Sequence, residues 1–576
     1  MRSEIKQKID LAYGRIKPEL VLKNARIVNV FSHEIIDGDI AINQGKIVGI
    51  GTYAGKKEID LEGKFVAPGL IDGHVHIESS MVTPTQFARA IVPRGTTTII
   101  ADPHEIANVK GIEGIRYMIE ASEGLPLNAF FMLPSCVPST SFETSGAKLS
   151  AEDLAELIEH DRVLGLGELM SYPSVISGDE EIVDKIKLAR DHGKLIDGHG
   201  PEIKDKELNA YVAAGVLTEH ECSTVEEMLN RLRLGMYILI RQGSAARNLK
   251  ELVRGLKREN IRRCLFCTDD KHPEDILLTG HIDNNVRLAI KNGIDPISAI
   301  QMATINAAEC YNLKNIGAIA PGYNADLIVI GNIKDFDILQ VYKDGKLVGE
   351  NQEPLFEVKD YNNSNVTDTV RIKEVSKDDL RIKIDGDIAN VIRLLPHSIV
   401  TQKVVRKVEV KNGEFNNNEK LDILKLAVIE RHNATGNVGL GLVEDFRLKN
   451  GAIALTIAHD SHNLIAIGDN DEDMLLAINE VARVGGGISI ASKGEVQKSL
   501  RLPIGGIMSD EPMEKVNDKL AEMLNIAYDQ LGINKDIDPF MTLSFLALPV
   551  IPDIKVTDMG LFDVSRFDFI DISIKK

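Results

Sequence analysis

The chain has 576 residues, of which 67 are Lys or Arg and 86 are Asp or Glu, so its formal net charge is −19. This excess of negative charge argues against nucleic acid or an anionic membrane as the main partner. Hydrophobic residues at 44% and charged residues at 27% are typical of a globular protein and exclude a disordered or collagen-like chain.

The cysteines and the apolar segments indicate a compartment. The five scattered cysteines are too few for a disulfide framework, and an odd number of them cannot all form pairs. The N-terminus lacks the apolar core of a signal peptide, and no run of about 18 apolar residues occurs in the chain. We therefore expect a cytoplasmic protein with no membrane partner.

Two separated stretches share the pattern of a small antiparallel sheet. Residues 20–66 alternate short β-rich runs with turn signals such as Asn-Gln-Gly, and the same pattern returns at residues 317–349. Runs bounded by Gly, Asn and Asp predict strands joined by tight turns. We predict that the two stretches complete one β-sandwich module, assigned to residues 1–66 and 311–350.

Between these stretches the sequence predicts an α/β barrel. Short apolar strand candidates begin at residues 65, 96, 129, 163, 194, 215, 237 and 264. The segments between them carry apolar residues at three- and four-residue spacing and begin with Ser, Thr or Asp caps, which favours helices. Eight such units match a (β/α)₈ TIM-like barrel, assigned to residues 67–310. An open doubly wound sheet is the alternative. Residues 351–576 mix strands and helices and predict a C-terminal α+β domain.

Ligand-type side chains stand at the ends of the predicted strands. His74 and His76 end the first strand, and they point the same way because side chains alternate along a strand. The later strands end with Glu168, His199, His220 with Glu221, and Asp269 with Asp270. The carboxyl ends of barrel strands form the active-site face, so we expect these groups to converge.

Imidazole and carboxylate ligands suit Zn²⁺, Mn²⁺ or Fe²⁺, and the set is large enough for two ions. Such an ion lowers the pKa of a bound water from 15.7 towards about 7, which makes hydroxide available at neutral pH. The pattern therefore predicts a metal-dependent hydrolase.

Other polar residues have both functional and structural interpretations. Asp102 and His104 follow the second strand, and we expect them to orient ligands, although solvated loop residues would look the same. Cys264 and Cys267 lie three apart in a strand, which puts their sulfurs on opposite faces and favours core packing over a metal or redox pair. For Arg241 a structural role is favoured over anion binding.

A second histidine cluster lies in the C-terminal region. His459-Asp460-Ser461-His462-Asn463 concentrates polar side chains after the apolar run AIALTIA. This segment predicts a second metal site, a loop closing over the barrel mouth, or a purely structural turn. The glycines at 485–487 lack the spacing of a nucleotide-binding loop.

At the level of motifs, the chain resembles the amidohydrolase superfamily and, within it, the bacterial adenine deaminases. The superfamily features are PGLIDGHVH at 68–76 and IAPGYNADLIV at 319–329. The features that resemble adenine deaminases are HVHIESSM at 74–81, ADPHEIAN at 101–108, GELM at 167–170, DGHGP at 197–201, TEHE at 218–221, RQGSA at 241–245 and CTDDKHPEDILLTGHID at 267–283. The long C-terminal region matches the family as well, so the resemblance covers nearly the whole chain.

The resemblance implies roles for individual residues. It makes His74, His76 and Asp269 ligands of a first metal, His199 and His220 ligands of a second, and Glu168 the bridge between them. Many relatives bridge with a carbamylated lysine, which Glu168 replaces. Asp269 is then the base that moves protons, and Glu221 is the candidate for protonating the ring nitrogen. Asp270 and Glu78 are the expected substrate contacts.

The function implied by this resemblance is hydrolytic deamination of adenine to hypoxanthine and ammonia, with Mn²⁺ as the expected metal and Fe²⁺ or Zn²⁺ as alternatives. The enzymatic alternative is a related amidohydrolase acting on another cyclic amidine, amide or acetylated amine. A non-enzymatic relative should have lost ligands, whereas all six positions are retained here. The expected partners are a small-molecule purine base and further copies of the chain in a homo-oligomer.

Overall fold

The computed structural model describes residues 2–359, 361–396, 398–418 and 420–574. A first helix, α1 (Arg2–Ala12), precedes five strands: β1 (Leu20–Asn29), β2 (Glu34–Asn43), β3 (Lys46–Gly51), β4 (Lys57–Asp60) and β5 (Phe65–Pro68). β1, β2 and β3 form an antiparallel meander, and Gln44 and Gly45 turn the chain between β2 and β3 with positive φ angles of 48° and 73°.

Eight parallel strands follow, one at each predicted place. They are β6 (Leu70–Val75), β7 (Thr96–Ala101), β8 (Asn128–Leu133), β9 (Val163–Leu169), β10 (Leu195–Gly198), β11 (Thr218–Glu219), β12 (Tyr237–Arg241) and β13 (Cys264–Cys267). The run from Phe65 to His76, predicted as one strand, is divided at Gly69, where a Cβ atom would overlap the Thr97 side chain. β5 therefore joins the β module and β6 joins the parallel strands.

The eight strands belong to two hydrogen-bonded sheets, β10-β9-β8-β7-β6 and β11-β12-β13. Backbone hydrogen bonds connect the two sheets at both edges. Asp269 N, just after β13, donates to His74 O in β6 at 2.9 Å, and Leu217 N, just before β11, donates to Ile196 O in β10 at 2.9 Å. The ends of β6 and β13 are thereby held together, although the two strands are nearly 200 residues apart in sequence.

Helices alternate with these strands. They are α2 (Pro84–Ile91), α3 (His104–Ala121), α4 (Ala151–Leu154), α5 (Tyr172–Ser177), α6 (Glu180–Asp191), α7 (Asp205–Ala213), α8 (Val225–Arg233), α9 (Leu249–Leu252), α10 (Pro273–Thr279), α11 (Ile282–Lys291), α12 (Pro296–Met302) and α13 (Ile305–Cys310). Short 3₁₀ helices cover Ile77–Ser80, Val92–Arg94, Val253–Gly255 and Ile261–Arg263. The predicted caps include Thr224, whose hydroxyl accepts from Glu227 N while the Glu227 carboxylate accepts from Thr224 N.

The β module is completed after the parallel strands, as predicted. Its later strands are β14 (Leu327–Ile330), β15 (Ile338–Lys343), β16 (Lys346–Glu350) and β17 (Glu353–Pro354). β14 pairs antiparallel with β5, so both stretches share one nine-stranded sheet. Ala325 N donates to Gly45 O at 2.8 Å. Distant strands of the sheet therefore approach each other and enclose a common core that includes Ile42 and Leu327.

The C-terminal region is a mixture of strands and helices, as predicted. Its strands are β18 (Ile388–Leu394), β19 (Thr401–Lys407), β20 (Val410–Lys411), β21 (Glu414–Phe415), β22 (Ile423–Ile429), β23 (Val438–Glu444), β24 (Ala452–Leu455), β25 (Leu464–Gly468), β26 (Gly487–Ser492), β27 (Glu495–Arg501), β28 (Ile554–Thr557), β29 (Gly560–Asp563) and β30 (Asp568–Phe569). Its helices are α14 (Asp471–Val484), α15 (Met513–Asp529) and α16 (Pro539–Ser544). The two clearest helical patterns of this region correspond to α14 and α15.

An eight-stranded sheet, β19-β18-β23-β22-β25-β24-β26-β27, is the centre of the C-terminal region. Ala477 and Val481 of α14 pack on it in one apolar cluster. A larger apolar cluster joins this region to the parallel strands, and it contains Ile106 of α3 together with Ile504 and Ile507. The contact places the C-terminal region against the start of α3. Among the described residues no helix is long and apolar enough to cross a membrane.

Candidate metal centre

His74 and His76 lie at the end of β6, and both rings are almost completely buried. Their Nε2 atoms are 3.2 Å apart, and the ring planes are nearly perpendicular at 87°. His76 Nδ1 lies 2.9 Å from the backbone oxygen of Asp102, which directs its Nε2 towards His74. Two imidazole nitrogens therefore face the same point.

Glu168, near the end of β9, lies between two pairs of histidines. Its Oε1 is 3.8 Å from His74 Nε2 and 3.3 Å from His76 Nε2. Its Oε2 is 2.6 Å from His199 Nδ1 and 3.1 Å from His220 Nε2. One carboxylate thus contacts four histidines from three different strand ends, although its nearest histidine partner in sequence is 31 residues away.

Asp269 completes the cluster on the side of the first histidine pair. Its Oδ1 lies 3.4 Å from His74 Nε2 and 3.1 Å from His76 Nε2. The φ of Asp269 is 59°, so the chain bends just after β13. Beyond this bend Asp270 Oδ1 accepts a 2.5 Å hydrogen bond from Ser79 Oγ.

Arg241, at the end of β12, joins two carboxylates of the cluster. Its Nη1 donates to Asp269 Oδ2 at 2.6 Å, and its Nη2 donates to Glu221 Oε2 at 2.9 Å. Glu221 Oε1 in turn lies 3.6 Å from His220 Nε2. The sequence favours a structural role for Arg241, with which these ion pairs are compatible, but it does not indicate the two carboxylate partners.

The charges in the cluster favour ionised carboxylates. Burial acts to raise the pKa of Glu168, but the neighbouring histidines, His220 first, hold this pKa well below its usual range. Burial likewise acts to raise the pKa of Asp269, and the Arg241 guanidinium and the two histidines hold it well below its usual range. Burial acts to raise the pKa of Glu221, but Arg241 together with His199 and His220 lowers it below its usual value.

This donor set fits divalent metal ions. Donors that bind one ion at about 2.0–2.2 Å in a tetrahedral arrangement lie roughly 3.3–3.6 Å apart. The histidine and carboxylate atoms around Glu168 Oε1 and Asp269 Oδ1 are 3.1–3.8 Å apart. Triads in this cluster whose ligating atoms all lie within 4.8 Å of each other include His74–His76–Asp269, His74–Glu168–His220, His76–His104–Glu168 and His199–His220–Glu221. Buried imidazoles and carboxylates at this density are the ligands that divalent transition metals prefer.

Asp102 and His104 adjoin the cluster. Asp102 Oδ2 accepts from Glu168 N at 3.1 Å, and this bond fixes the backbone that carries Glu168. His104 Nδ1 lies 3.3 Å from Glu168 Oε1, the same distance as His76 Nε2, and has no hydrogen-bond partner among the described residues. His104 therefore lies as close to the Glu168 carboxylate as His76 does. A residue that only orients the ligands would not need to be this close.

Glu78 is directed at the first turn of α3. Its Oε1 accepts from Ile106 N at 3.3 Å, whereas its Oε2 is buried without a hydrogen-bond partner in the described part of the chain. Burial raises the pKa of Glu78 to about 7.

The cysteines at 264 and 267 are both buried free thiols, as the core-packing interpretation predicts.

The C-terminal histidines reach the same neighbourhood. Glu105 Oε1 lies 2.7 Å from His459 Nδ1, and Glu105 Oε2 contacts His462 Nε2. The sequence singled out the histidines but not Glu105, since the contacting residues are 354 and 357 positions apart.

Comparison with known proteins identifies the family. The Amidohydrolase family pattern matches residues 65–348, and the adenine deaminase C-terminal domain matches residues 398–568. The chain is 56% identical to adenine deaminase from Clostridium acetobutylicum over 98% of this chain and 100% of that protein. The chain belongs to the adenine deaminase family.

A second relative agrees with this assignment. Adenine deaminase 2 from Carboxydothermus hydrogenoformans is 52% identical over 99% of this chain and 100% of its own length. Among solved structures, the β-aspartyl dipeptidase from Fervidobacterium islandicum AW-1 has a TM-score of 0.46 and 19% identity over 60% of this chain and 99% of that one. Membership of the adenine deaminase family thus extends over the parallel strands and the C-terminal region alike.

Proposed function

We propose that this chain catalyses the hydrolytic deamination of adenine to hypoxanthine and ammonia at a binuclear metal centre. The observation that carries the proposal is Glu168, a single carboxylate in contact with the His74–His76 pair and with His199 and His220. Near full-length similarity to adenine deaminases supports adenine as the substrate.

In this proposal His74, His76 and Asp269 hold one ion, His199 and His220 hold the other, and Glu168 bridges them. We take Mn²⁺ as the metal. When bound, divalent ions of this kind supply water activated for attack at neutral pH. Because Glu168 is already anionic at this position, no carbamylated lysine is needed.

Asp269 and Glu221 move the protons. Deamination uses both protons of one water molecule, one for the ring nitrogen and one for the amine that leaves as ammonia. Asp269 is the base that takes a proton from the attacking water and passes it towards the amine. Arg241 keeps Glu221 ionised, so Glu221 would first accept the other proton of the water molecule and then donate it to the ring nitrogen.

Asp270 and Glu78 are the proposed purine contacts, and Asp102 with His104 the proposed orienting groups. We also propose that the eight parallel strands form a closed (β/α)₈ barrel over residues 67–310, with a β-sandwich module over 1–66 and 311–350 and a C-terminal domain over 351–576. Hydrogen bonds at both junctions between the two parallel sheets support closure. A homo-oligomer remains our expectation for the assembly.

Replacing His74 with Asn tests the proposal. We expect Mn²⁺-loaded native protein to release ammonia and hypoxanthine from adenine, and the variant to lose this activity and most of its bound metal while keeping its circular dichroism spectrum. The control is His192→Asn, whose ring bonds Leu188 O on α6, outside the cluster, and it should behave like the native protein. Unchanged turnover in His74→Asn would remove the assignment.

A further inference from the structure

The segment of residues 459–462 brings two buried histidines of the C-terminal region onto one carboxylate of α3. Glu105, His459 and His462 are 2%, 7% and 1% exposed. Among the described residues, the charged groups within ion-pair distance of Glu105 are His104, His459 and His462. The carboxylate therefore depends on histidines alone for its compensation.

The hydrogen bonds of His462 determine its tautomer. Ala458 N donates to His462 Nδ1 at 3.1 Å, so Nδ1 carries a lone pair and Nε2 carries the proton. Nε2 then donates to Glu105 Oε2. A metal ion needs the lone pair that Nε2 lacks in this tautomer, so the arrangement favours a hydrogen-bonded carboxylate over the second metal site suggested by the sequence.

His459 is held by packing as well as by Glu105. Its Nδ1 lies 2.7 Å from Glu105 Oε1, and its ring stacks on Phe545 with centroids 4.4 Å apart and planes inclined by 13°. Both oxygens of Glu105 are thus engaged from the C-terminal region. The carboxylate can adopt one orientation only while these contacts persist.

The segment itself is anchored before it meets Glu105. Buried Arg431 donates through Nε to His462 O and through Nη2 to Gly505 O at 2.8 Å. His432 Nε2 bonds Ser461 O at 2.7 Å. The histidines are therefore carried by a fixed turn, which makes them suited to hold another residue in place.

Glu105 leads directly to the candidate metal centre. Its Oε1 lies 3.4 Å from His104 Nε2, and the other nitrogen of that ring, Nδ1, lies 3.3 Å from Glu168 Oε1. The His104 ring is thus placed between two carboxylates. One of these belongs to the proposed metal bridge and the other is held by the C-terminal region.

We propose that His459 and His462 are positioning residues of the metal centre: they hold Glu105, which holds His104 against the bridging carboxylate of Glu168. The C-terminal region then positions residues of the metal centre in addition to packing against the parallel strands. The predicted effect on turnover rests on the proposed deamination. The predicted effect on metal affinity does not depend on that proposal.

The test compares variants of the full chain for Mn²⁺ affinity and for turnover. Free Mn²⁺ measured by electron paramagnetic resonance gives the dissociation constant, and metal-saturated protein gives kcat and KM for adenine. Loss of residues that orient ligands costs about 10- to 100-fold in metal affinity or activity. We expect His459→Leu, His462→Leu and Glu105→Gln each to weaken Mn²⁺ binding or lower kcat within this range, with KM nearly unchanged.

Two further variants separate positioning from folding. His462→Gln retains an acceptor and a donor and should recover much of the loss seen in His462→Leu. The control His192→Gln alters a histidine that bonds Leu188 O on α6 and contacts neither Glu105 nor the segment of residues 459–462, and it should match the native protein. The double variant Glu105→Gln/His459→Leu should be no worse than Glu105→Gln alone, since both act through one carboxylate.

Native Mn²⁺ affinity and native kcat per folded molecule in Glu105→Gln and His459→Leu would overturn the inference, as would a loss of activity that is fully accounted for by a smaller folded fraction. If the leucine variants do not fold, Glu105→Gln and His459→Gln decide. A native protein that does not deaminate adenine, combined with weakened Mn²⁺ binding in the variants, would refute the proposed function and leave this inference standing.

Discussion

Replacing Arg241 with Met should disturb the electrostatics of the candidate centre more than any loss of packing. Arg241 is only 9% exposed, and its guanidinium donates to Asp269 at 2.6 Å and to Glu221 at 2.9 Å. Methionine keeps most of the length of the side chain but leaves both carboxylates without their cation. Removing one partner of a buried ion pair typically costs about 3–5 kcal/mol.

The sign of the pH effect follows from the same contacts. Arg241 lowers the pKa of Glu221 and of Asp269 below their usual ranges against the effect of burial. A carboxyl with a depressed pKa contributes stability above its unfolded pKa and loses that contribution as the pH falls through the folded pKa. In Arg241→Met both pKa values rise, so we expect the loss of stability and of kcat/KM on acidification to begin at a higher pH.

Hydrogen exchange of peptides that cover residues 264–272, measured on metal-free protein, reports the local free energy of opening around Asp269. The control is Arg247→Met, which removes an ion pair with Asp275 from a side chain that is 58% exposed and should change stability by less than about 1 kcal/mol. Exchange of these peptides in Arg241→Met that equals the control, together with an unmoved acid limb of kcat/KM, would refute the argument.

Two further predictions concern buried carboxyls. Asp102→Asn weakens the bond to Glu168 N that fixes the bridge, so we expect Mn²⁺ affinity or kcat to fall by about 10- to 100-fold, while the exposed control Asp191→Asn leaves both unchanged. Glu143 has a pKa raised by burial to about 8. A raised carboxyl pKa opposes folding above the unfolded pKa, so the native chain should lose stability relative to Glu143→Gln as the pH rises from about 4.5 towards 8. Thermal melting of both proteins over this range checks the second prediction. Melting temperatures with the same pH dependence in both proteins would contradict it.

The candidate centre shows which site residues can be predicted from motifs alone. His74 and His76 are two residues apart in a strand, and strand geometry by itself places both rings on one face. The likeness of GELM and TEHE to known motifs pointed to Glu168 and His220, and the structure brings them to 3.1 Å. The two carboxylate partners of Arg241 were not predicted, because they lie 20 and 28 residues away and no local pattern encodes their positions.

Periodicity, turn residues and motif spacing were enough to locate the eight parallel strands, the divided β module and the principal helices of the C-terminal region. Each strand, turn and helix is indicated by residues that are close together in sequence. One apolar run is divided at Gly69, where the backbone changes partners from Asp326 O to Gly95 O and a Cβ atom would overlap Thr97. The meeting of Glu105 with His459 and His462 was decided by how the C-terminal region packs on α3. Such contacts join residues hundreds of positions apart, and only the arrangement of whole elements in space determines which of them meet.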